Sequence, residues 1–275
     1  MRAMRQIFHK MHGLGNDFVV FDARDAAIAI TPQRARAIAD RHFGVGCDQL
    51  ILIEPSDVAA ARMRIWNADG GEVESCGNAT RCAAILLGDG KTLETMGGIL
   101  DLSVTSGGAS VDMGGPRFDW DAVPLAYAMD TRALPLAWDG VETIAPPIAL
   151  SVGNPHVILF VPDADAQDIE ALGRPIEHDP VFPERVNVNF ATIESPDRIR
   201  LRVWERGSGA TLACGTGACA TAVAAIRAGR ARSGVTVALP GGDLVIEWQP
   251  GGTIRMTGPA THVFSGELDL EAFPA

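Results

Sequence analysis

The chain has 275 residues, 47% hydrophobic and 21% charged, with a formal net charge of −11. That length supports about two modest cores, and the composition is that of an ordinary soluble globular protein. The acidic balance argues against a nucleic-acid partner and against an anionic membrane surface, since both favour a basic face, so the expected partner is a small molecule.

The N-terminal stretch MRAMRQIFHK is basic but has no apolar run of signal-peptide length, which makes the cytoplasm the expected location. Five cysteines in a reducing compartment are expected as free thiols, not as a disulfide framework.

In chain order, Gln6 to Asp22 holds a glycine-rich turn, HGLGND, followed by the strand-like FVVFD. Thr31 to Gly44 reads as a packing helix, with Thr31 as N-cap, Pro32 in the first turn and Gly44 as the stop. Strands are expected at Gln49 to Ile53 and Arg62 to Trp66, and then comes NADGGEVESCGNATRCAAILLG. Pro116 to Pro147 carries five prolines and reads as a crossing between two domains. Leu201 to Val203 alternates as a strand does, and the run after Thr216 reads as a helix ending near Arg227 and Gly229. Further strands are expected at Gly234 to Leu239, Leu244 to Trp248 and Thr253 to Thr257. The tail Thr261 to Leu268 is expected to return to the first half.

Cys214 therefore sits between a strand and a helix, at the helix N-terminus. Unpaired backbone N–H groups there lower a thiol's pKa and also bind anions. No charged side chain occurs from Gly207 to Ile226, which marks the segment as buried; its helical part is shorter than the roughly 20 residues of a membrane span.

This corner occurs twice. Cys76 and Cys214 are 138 positions apart, and at that offset six of the 21 pairs from Arg64–Ala84 and Arg202–Ala222 are identical. Roughly two would arise by chance from this composition. The same offset aligns Gly15-Asn16 with Gly153-Asn154, and Gln49 with Asn187. The expected fold is α+β, with two pseudo-symmetric domains of like fold, residues 1–122 and 123–263, and tail 264–275 returning to the first. Each is read as a mostly antiparallel or mixed, barrel-like sheet wrapped around one central helix, with the active site in the cleft between them. Two thiols across one cleft make a two-base arrangement, in which a thiolate removes a proton from a carbon and a thiol on the opposite face returns one. Backbone donors at both helix starts would stabilise the carbanion, and no metal or cofactor is needed.

Cys82, Cys219 and Cys47 read as buried structural thiols. The spacings Cys76-x5-Cys82 and Cys214-x4-Cys219 are not zinc knuckles, and His9 with His12 is a weak ligand pair. GSGATLACGTG lacks the ending of a phosphate-binding loop.

Six motifs carry a resemblance over nearly the whole chain: HGLGNDF, GCDQ, NADG with ESCGN, GNPH, RVNVNF and WERGSGATLACGTGA. In this order they resemble the diaminopimelate epimerase family. The resemblance implies a cofactor-independent isomerase that interconverts LL- and meso-diaminopimelate on the route to lysine and peptidoglycan. It implies Cys76 and Cys214 as the acid/base pair. The amides at Gly77-Asn78 and Gly215-Thr216 would hold the carboxylate at the reacting centre, and Asn16, Gln49, Asn67, Asn154, Asn187, Glu205 and Arg206 the rest of the substrate. An arginine for a distal carboxylate and a glutamate with amide oxygens for an ammonium suit such a ligand. His156 and Glu205 are expected to support the protonation of one thiol, and a homodimer is compatible with the resemblance.

Ala79, Thr80 and Ala210 stand where the family has Gly, Ala and Glu, and Cys47 where it commonly has Ala. Two rival readings remain. A proline or hydroxyproline racemase would carry a histidine where Asn78 stands and would leave Asn67, Asn187 and Arg206 without a task. A thiol redox or zinc-binding module would not explain the amides at matched offsets.

Overall fold

The computed structural model describes residues 5–74 and 76–273. The start of the basic N-terminal stretch, Ser75 of the ESCGN motif and the last two residues of the returning tail lie outside them. The chain divides into two compact units, Met1–Val111 with Gly258–Ala275, and Asp112–Thr257.

The first unit contains strands β1 (Arg5–Gly13), β2 (Asn16–Asp22), β3 (Gln49–Glu54), β4 (Ala61–Asn67) and β5 (Glu72–Val73). Helix α1 (Pro32–Ala39) lies between β2 and β3, and α2 (Gly77–Leu87) follows β5. Strands β6 (Thr92–Thr95), β7 (Gly98–Thr105) and β8 (Gly108–Asp112) complete the run, and the C-terminal strand β17 (Thr261–Asp269) returns to pair antiparallel with β1. The β2–β3 and β4–β6 pairs are parallel and the rest antiparallel, so the sheet is mixed.

The second unit repeats this plan. Strands β9 (Ile148–Ser151) and β10 (Pro155–Phe160) precede helix α3 (Ile169–Glu177), followed by β11 (Asn187–Ser195), β12 (Arg198–Glu205) and β13 (Gly209–Thr211). Helix α4 (Gly215–Arg227) and strands β14 (Val235–Leu239), β15 (Gly242–Glu247) and β16 (Arg255–Gly258) complete it. Its parallel pairs are β10–β11 and β12–β14, at the equivalent places.

The repeat holds at the level of single residues. Phe18 pairs with Gln49 as His156 pairs with Asn187, and Leu50 with Trp66 as Val188 with Trp204. Beyond the cysteine helices the register jumps: Leu93–Leu100 corresponds to Val237–Leu244, an offset of 144 instead of 138, so the second unit has six extra residues there.

Helix α4 is built from Gly, Ala, Thr, Cys and Val and is buried almost all round. Small side chains let a curved sheet close on it, and a helix apolar on every face belongs in a core. It packs against β9, β10, β11, β12, β14 and β15. Helix α2 has the same character, with Gly77 through Ala84 buried.

Each unit has a second helix: α1 is the packing helix expected from Thr31, whereas α3 is not among the expected elements. Helix α3 carries Pro175 within it and Gly173 against Trp204, where a Cβ would lie 2.4 Å from the ring. Helix α1 begins as expected, with Thr31 Oγ1 accepting from Arg34 N at 3.1 Å, but ends at Ala39, well before Gly44. The Asp40 side chain accepts from His42 N and Phe43 N at 2.7 and 2.8 Å and turns the chain away. Gly44 is required there, because a Cβ would lie 2.3 Å from Ala37 O.

The proline-rich stretch belongs to the second unit, where Val123, Leu125 and Leu134 are buried with Val157, Leu159, Val188 and Phe190. Among the described residues no helix is long and apolar enough to cross a membrane.

Candidate active site

Both cysteine corners arise in the same way. A short strand ends, the cysteine adopts an extended backbone as N-cap, and a helix without an acidic residue in its first turn begins. The first N–H groups of such a helix have no partner within it and carry its positive end. Each cysteine is thus placed against a small field of donors.

In the first corner Cys76 is partly exposed, and Thr80 donates to the Cys76 carbonyl from its backbone at 2.9 Å and its hydroxyl at 3.0 Å. The departures at Ala79 and Thr80 fit the site, since both residues are buried and the Thr80 hydroxyl is satisfied locally. Asn16, at the turn between β1 and β2, places its Oδ1 3.7 Å from Cys76 Sγ and 3.2 Å from Asn78 Nδ2. Gln49 and Asn67 face each other across β3 and β4, with Gln49 Nε2 donating to Asn67 Oδ1 at 2.8 Å. The buried Gln49 Oε1 has no hydrogen-bond partner among the described residues, leaving an acceptor for a ligand's donor.

In the second corner Cys214 is 3% exposed, and its Sγ accepts from Gly217 N at 3.3 Å. A Cβ on Gly217 would lie 2.7 Å from Asn189 Oδ1 and 3.2 Å from that sulfur, so only glycine fits. Thr216 Oγ1 is 3.5 Å from Cys214 Sγ. Glu205, at the end of β12, shares a hydrogen bond with the Cys214 thiol and accepts from Thr211 Oγ1 at 2.6 Å. Burial pushes the Cys214 thiol up, and so does the adjacent Glu205 charge, while Thr216 and Gly217 pull the other way. Burial also raises the Glu205 carboxyl, against the hydrogen bonds from Thr211 and Cys214. Both groups are thus shifted toward their protonated forms, side by side in a desolvated corner.

His156 reaches this corner indirectly. It is fully buried, and burial holds its imidazole down to about 3, so the ring is neutral. Its Nε2 is 3.0 Å from Asn154 Oδ1, and Asn154 Nδ2 donates to Thr216 Oγ1 at 3.3 Å.

Asn187 and Arg206 are brought together: Arg206 N donates to Asn187 Oδ1 at 2.9 Å, and Asn187 Nδ2 to Pro155 O at 2.8 Å. The Arg206 side chain is exposed and donates to Glu184 O. Sequence reasoning missed the residue beneath this turn. Buried Glu177 accepts from Trp204 Nε1 at 2.8 Å and Gly207 N at 3.0 Å, clamping the chain on both sides of Glu205 and Arg206. It also missed Asn189, although the motif NVNF puts Asn187 and Asn189 on one face of a strand. Asn189 Nδ2 donates to Val157 O at 3.0 Å and to Asn187 O at 3.3 Å, and meets His156 Nδ1 at 3.2 Å.

Ala210 is exposed and pairs with Trp204 on β12. Its counterpart Glu72 grips Arg64 with two bonds of 2.7 and 2.9 Å, whereas Arg202, the counterpart of Arg64, has only Asp165 at 3.7 Å among the described residues. The missing carboxylate thus belongs to an exposed strand pair, and the carboxyl beside Cys214 is that of Glu205. Cys47, Cys82 and Cys219 are buried, and burial pushes Cys47 and Cys82 up to about 12. No cluster of three or more His, Cys, Asp or Glu arranged for a metal occurs among the described residues.

A family model described as diaminopimelate epimerase matches residues 8–118 and 148–263. The chain is 63% identical to the diaminopimelate epimerase of Rhizorhabdus wittichii, covering 99% of this chain and 98% of that one. It is 62% identical to that of Sphingopyxis alaskensis, covering 98% of this chain and all of that one. Among solved structures, a probable proline racemase from Agrobacterium radiobacter aligns with a TM-score of 0.66 at 16% identity, over 96% of this chain and 92% of that one. At that identity the likeness speaks for the fold alone.

Proposed function

The chain belongs to the diaminopimelate epimerase family, and from that membership we propose that it interconverts LL- and meso-diaminopimelate by proton transfer between two cysteines, without a cofactor. The observation that carries the reading is the pair of corners: Cys76 and Cys214, in matched registers, each cap a buried helix with no acidic residue in its first turn.

On this reading one sulfur, as thiolate, takes the α-proton and becomes a thiol. The electron pair left on the α-carbon delocalises into the adjacent carboxylate. Backbone donors at Gly77-Asn78 and Gly215-Thr216 stabilise that charge where it develops, and the opposite thiol returns a proton to the other face of the carbon. Glu205 exchanges a proton with Cys214, and His156 orients Asn154 and Thr216 around it. Asn16, Gln49, Asn67, Asn154, Asn187 and Arg206 hold the remainder of the substrate. An amino acid lacking the distal group leaves these polar side chains unpaired and is rejected. The same reading has the enzyme work in the cytoplasm, with a homodimer as its assembly.

The test incubates the protein with LL-diaminopimelate and with L-proline separately in heavy water, and follows the α-proton by NMR. The expected result is inversion with deuterium gained in the diaminopimelate product and none with proline. Inversion that survives in a Cys76→Ala protein overturns the two-cysteine mechanism.

A further inference from the structure

The two corners are equivalent in backbone, but their side-chain amides are turned in opposite directions, and the groups at the ends of each chain of hydrogen bonds dictate which way. In the first corner Arg81, on α2 and fully buried, sends Nη2 to Asn78 Oδ1 at 2.7 Å. A guanidinium only donates, so this atom of Asn78 must be its oxygen. Asn78 Nδ2 therefore faces Asn16, at 3.2 Å from Oδ1. At the other end Asn16 Nδ2 lies 3.1 Å from Asp48 Oδ2, and an ionised carboxylate only accepts. Both ends give the same answer: Asn16 turns its oxygen toward Cys76 Sγ.

The second corner is set the other way. Asn189 Nδ2 is fixed as the nitrogen by the carbonyls of Val157 and Asn187, and a proton on His156 Nδ1 would point at its hydrogens, so Nδ1 is the unprotonated ring nitrogen. The neutral ring then carries its proton on Nε2 and donates to Asn154 Oδ1. Asn154, the counterpart of Asn16, thus turns its nitrogen toward Thr216 Oγ1, whose own proton is left to point at Cys214 Sγ. Cys76 Sγ meets an amide oxygen, whereas Cys214 Sγ meets a hydroxyl and a backbone N–H together with the Glu205 carboxyl.

We infer that Arg81 and Asp48 are positioning residues that clamp the Asn78 and Asn16 amides from a permanent donor end and a permanent acceptor end, and thereby hold Cys76 toward the neutral thiol. An amide oxygen can accept from S–H but only repels a thiolate, so each time Cys76 gives up its proton the clamp favours its return. The clamp is itself anchored: Asp48 accepts from Arg41 Nη2 at 2.7 Å and from Asp17 N at 3.1 Å, and Asp17 is paired with Lys10 and Arg41. The inference deepens the two-cysteine reading and rests on it for Cys76 as one of the two exchanging thiols.

The test reads the thiols without substrate. The full-length protein is treated with iodoacetamide at one mildly alkaline pH, and alkylation of Cys76 and of Cys214 is followed separately by peptide mass mapping; thiolate, not thiol, reacts. Either end alone keeps the Asn16 oxygen on Cys76, so both are removed: in the double variant Arg81→Met with Asp48→Ala the Asn78 and Asn16 amides can turn over, and alkylation of Cys76 is expected to rise about fivefold, the loss of one modest hydrogen bond. One cation and one anion leave together, so the nearby net charge is unchanged. A rate at Cys76 that falls or stays at the wild-type value overturns the inference. Each single variant keeps one end of the clamp and is expected to stay slow, and Cys214 is expected to react alike in all four proteins.

Should the double variant fail to fold, Asn16→Ala decides. It removes the acceptor itself, so Cys76 is expected to react faster. An unchanged or slower rate overturns the clamp. An expected alkylation pattern in a protein that does not epimerise diaminopimelate would count against the proposed function alone; epimerisation without the pattern would count against the clamp alone.

Discussion

His156 should make the second unit lose stability in mild acid, well before carboxylates begin to protonate. The imidazole is held down to about 3 by burial, against an ordinary value of 6.5 in an unfolded chain. Between those values the unfolded chain binds a proton that the folded one does not. The stabilisation tied to the neutral ring is therefore complete above 6.5 and is lost as pH falls toward 3. Each pH unit in that window costs about 1.4 kcal/mol, so acidification to about pH 5 removes about 2 kcal/mol. Glu205 works in the opposite sense, because its raised folded value lets the folded state gain a proton first as pH falls. The measurement is therefore a comparison between wild type and His156→Gln, in which Glu205 is common to both. Four of the five tryptophans, Trp120, Trp138, Trp204 and Trp248, lie in the second unit, so intrinsic fluorescence in urea follows chiefly that unit. Wild type should lose about 2 kcal/mol more than the variant between about pH 7 and pH 5. Equal pH slopes in the two proteins would refute the argument that His156 is buried neutral.

Gly217→Ala brings a methyl group to 2.7 Å from Asn189 Oδ1 and 3.2 Å from Cys214 Sγ. It should lower kcat for diaminopimelate by more than about tenfold, the effect of a small misplacement of a reacting group, while circular dichroism stays that of wild type. Ala210→Glu restores the carboxylate that the first unit has at Glu72, but in an exposed strand pair. It should change stability by no more than about 1 kcal/mol and leave kcat unaltered; a large kinetic effect would show that this position acts on Cys214 after all.

The repeat was legible because its signal is chemical: Cys-Gly after a short strand, a helix of mostly small residues, and Gly-Asn and amide residues at one fixed offset. The central helices were readable for the same reason, since a run rich in Gly, Ala, Thr and Cys, with Arg81 the single charge inside α2, has few other uses. Helix α3 was hidden by Gly173 and Pro175, which read as breakers although one gives way to the Trp204 ring and the other stands near the helix end. The stop of α1 was misread because Gly44 looks like a C-terminal signal, while the Asp40 side chain ends the helix first. In the candidate site, the residues expected to meet the substrate carry a motif signal of their own, and those packed behind them do not. Arg81, Glu177 and Asn189 matter by which atom faces which neighbour, and a one-letter code does not say which way an amide is turned.

The six-residue jump in register after the cysteine helices divides each repeat into a rigid half and a permissive one. From the Gly-Asn turn to the helix start the two copies have the same length, and there a one-residue insertion would slide a cysteine out of reach of its asparagine. Past the helix the length has already changed once between the copies without disturbing the strand pairing. The stretches Gly88 to Lys91 and Ala228 to Gly234, between helix and next strand, are therefore the places where an added peptide tag or a fused reporter should be accepted with the chemistry intact.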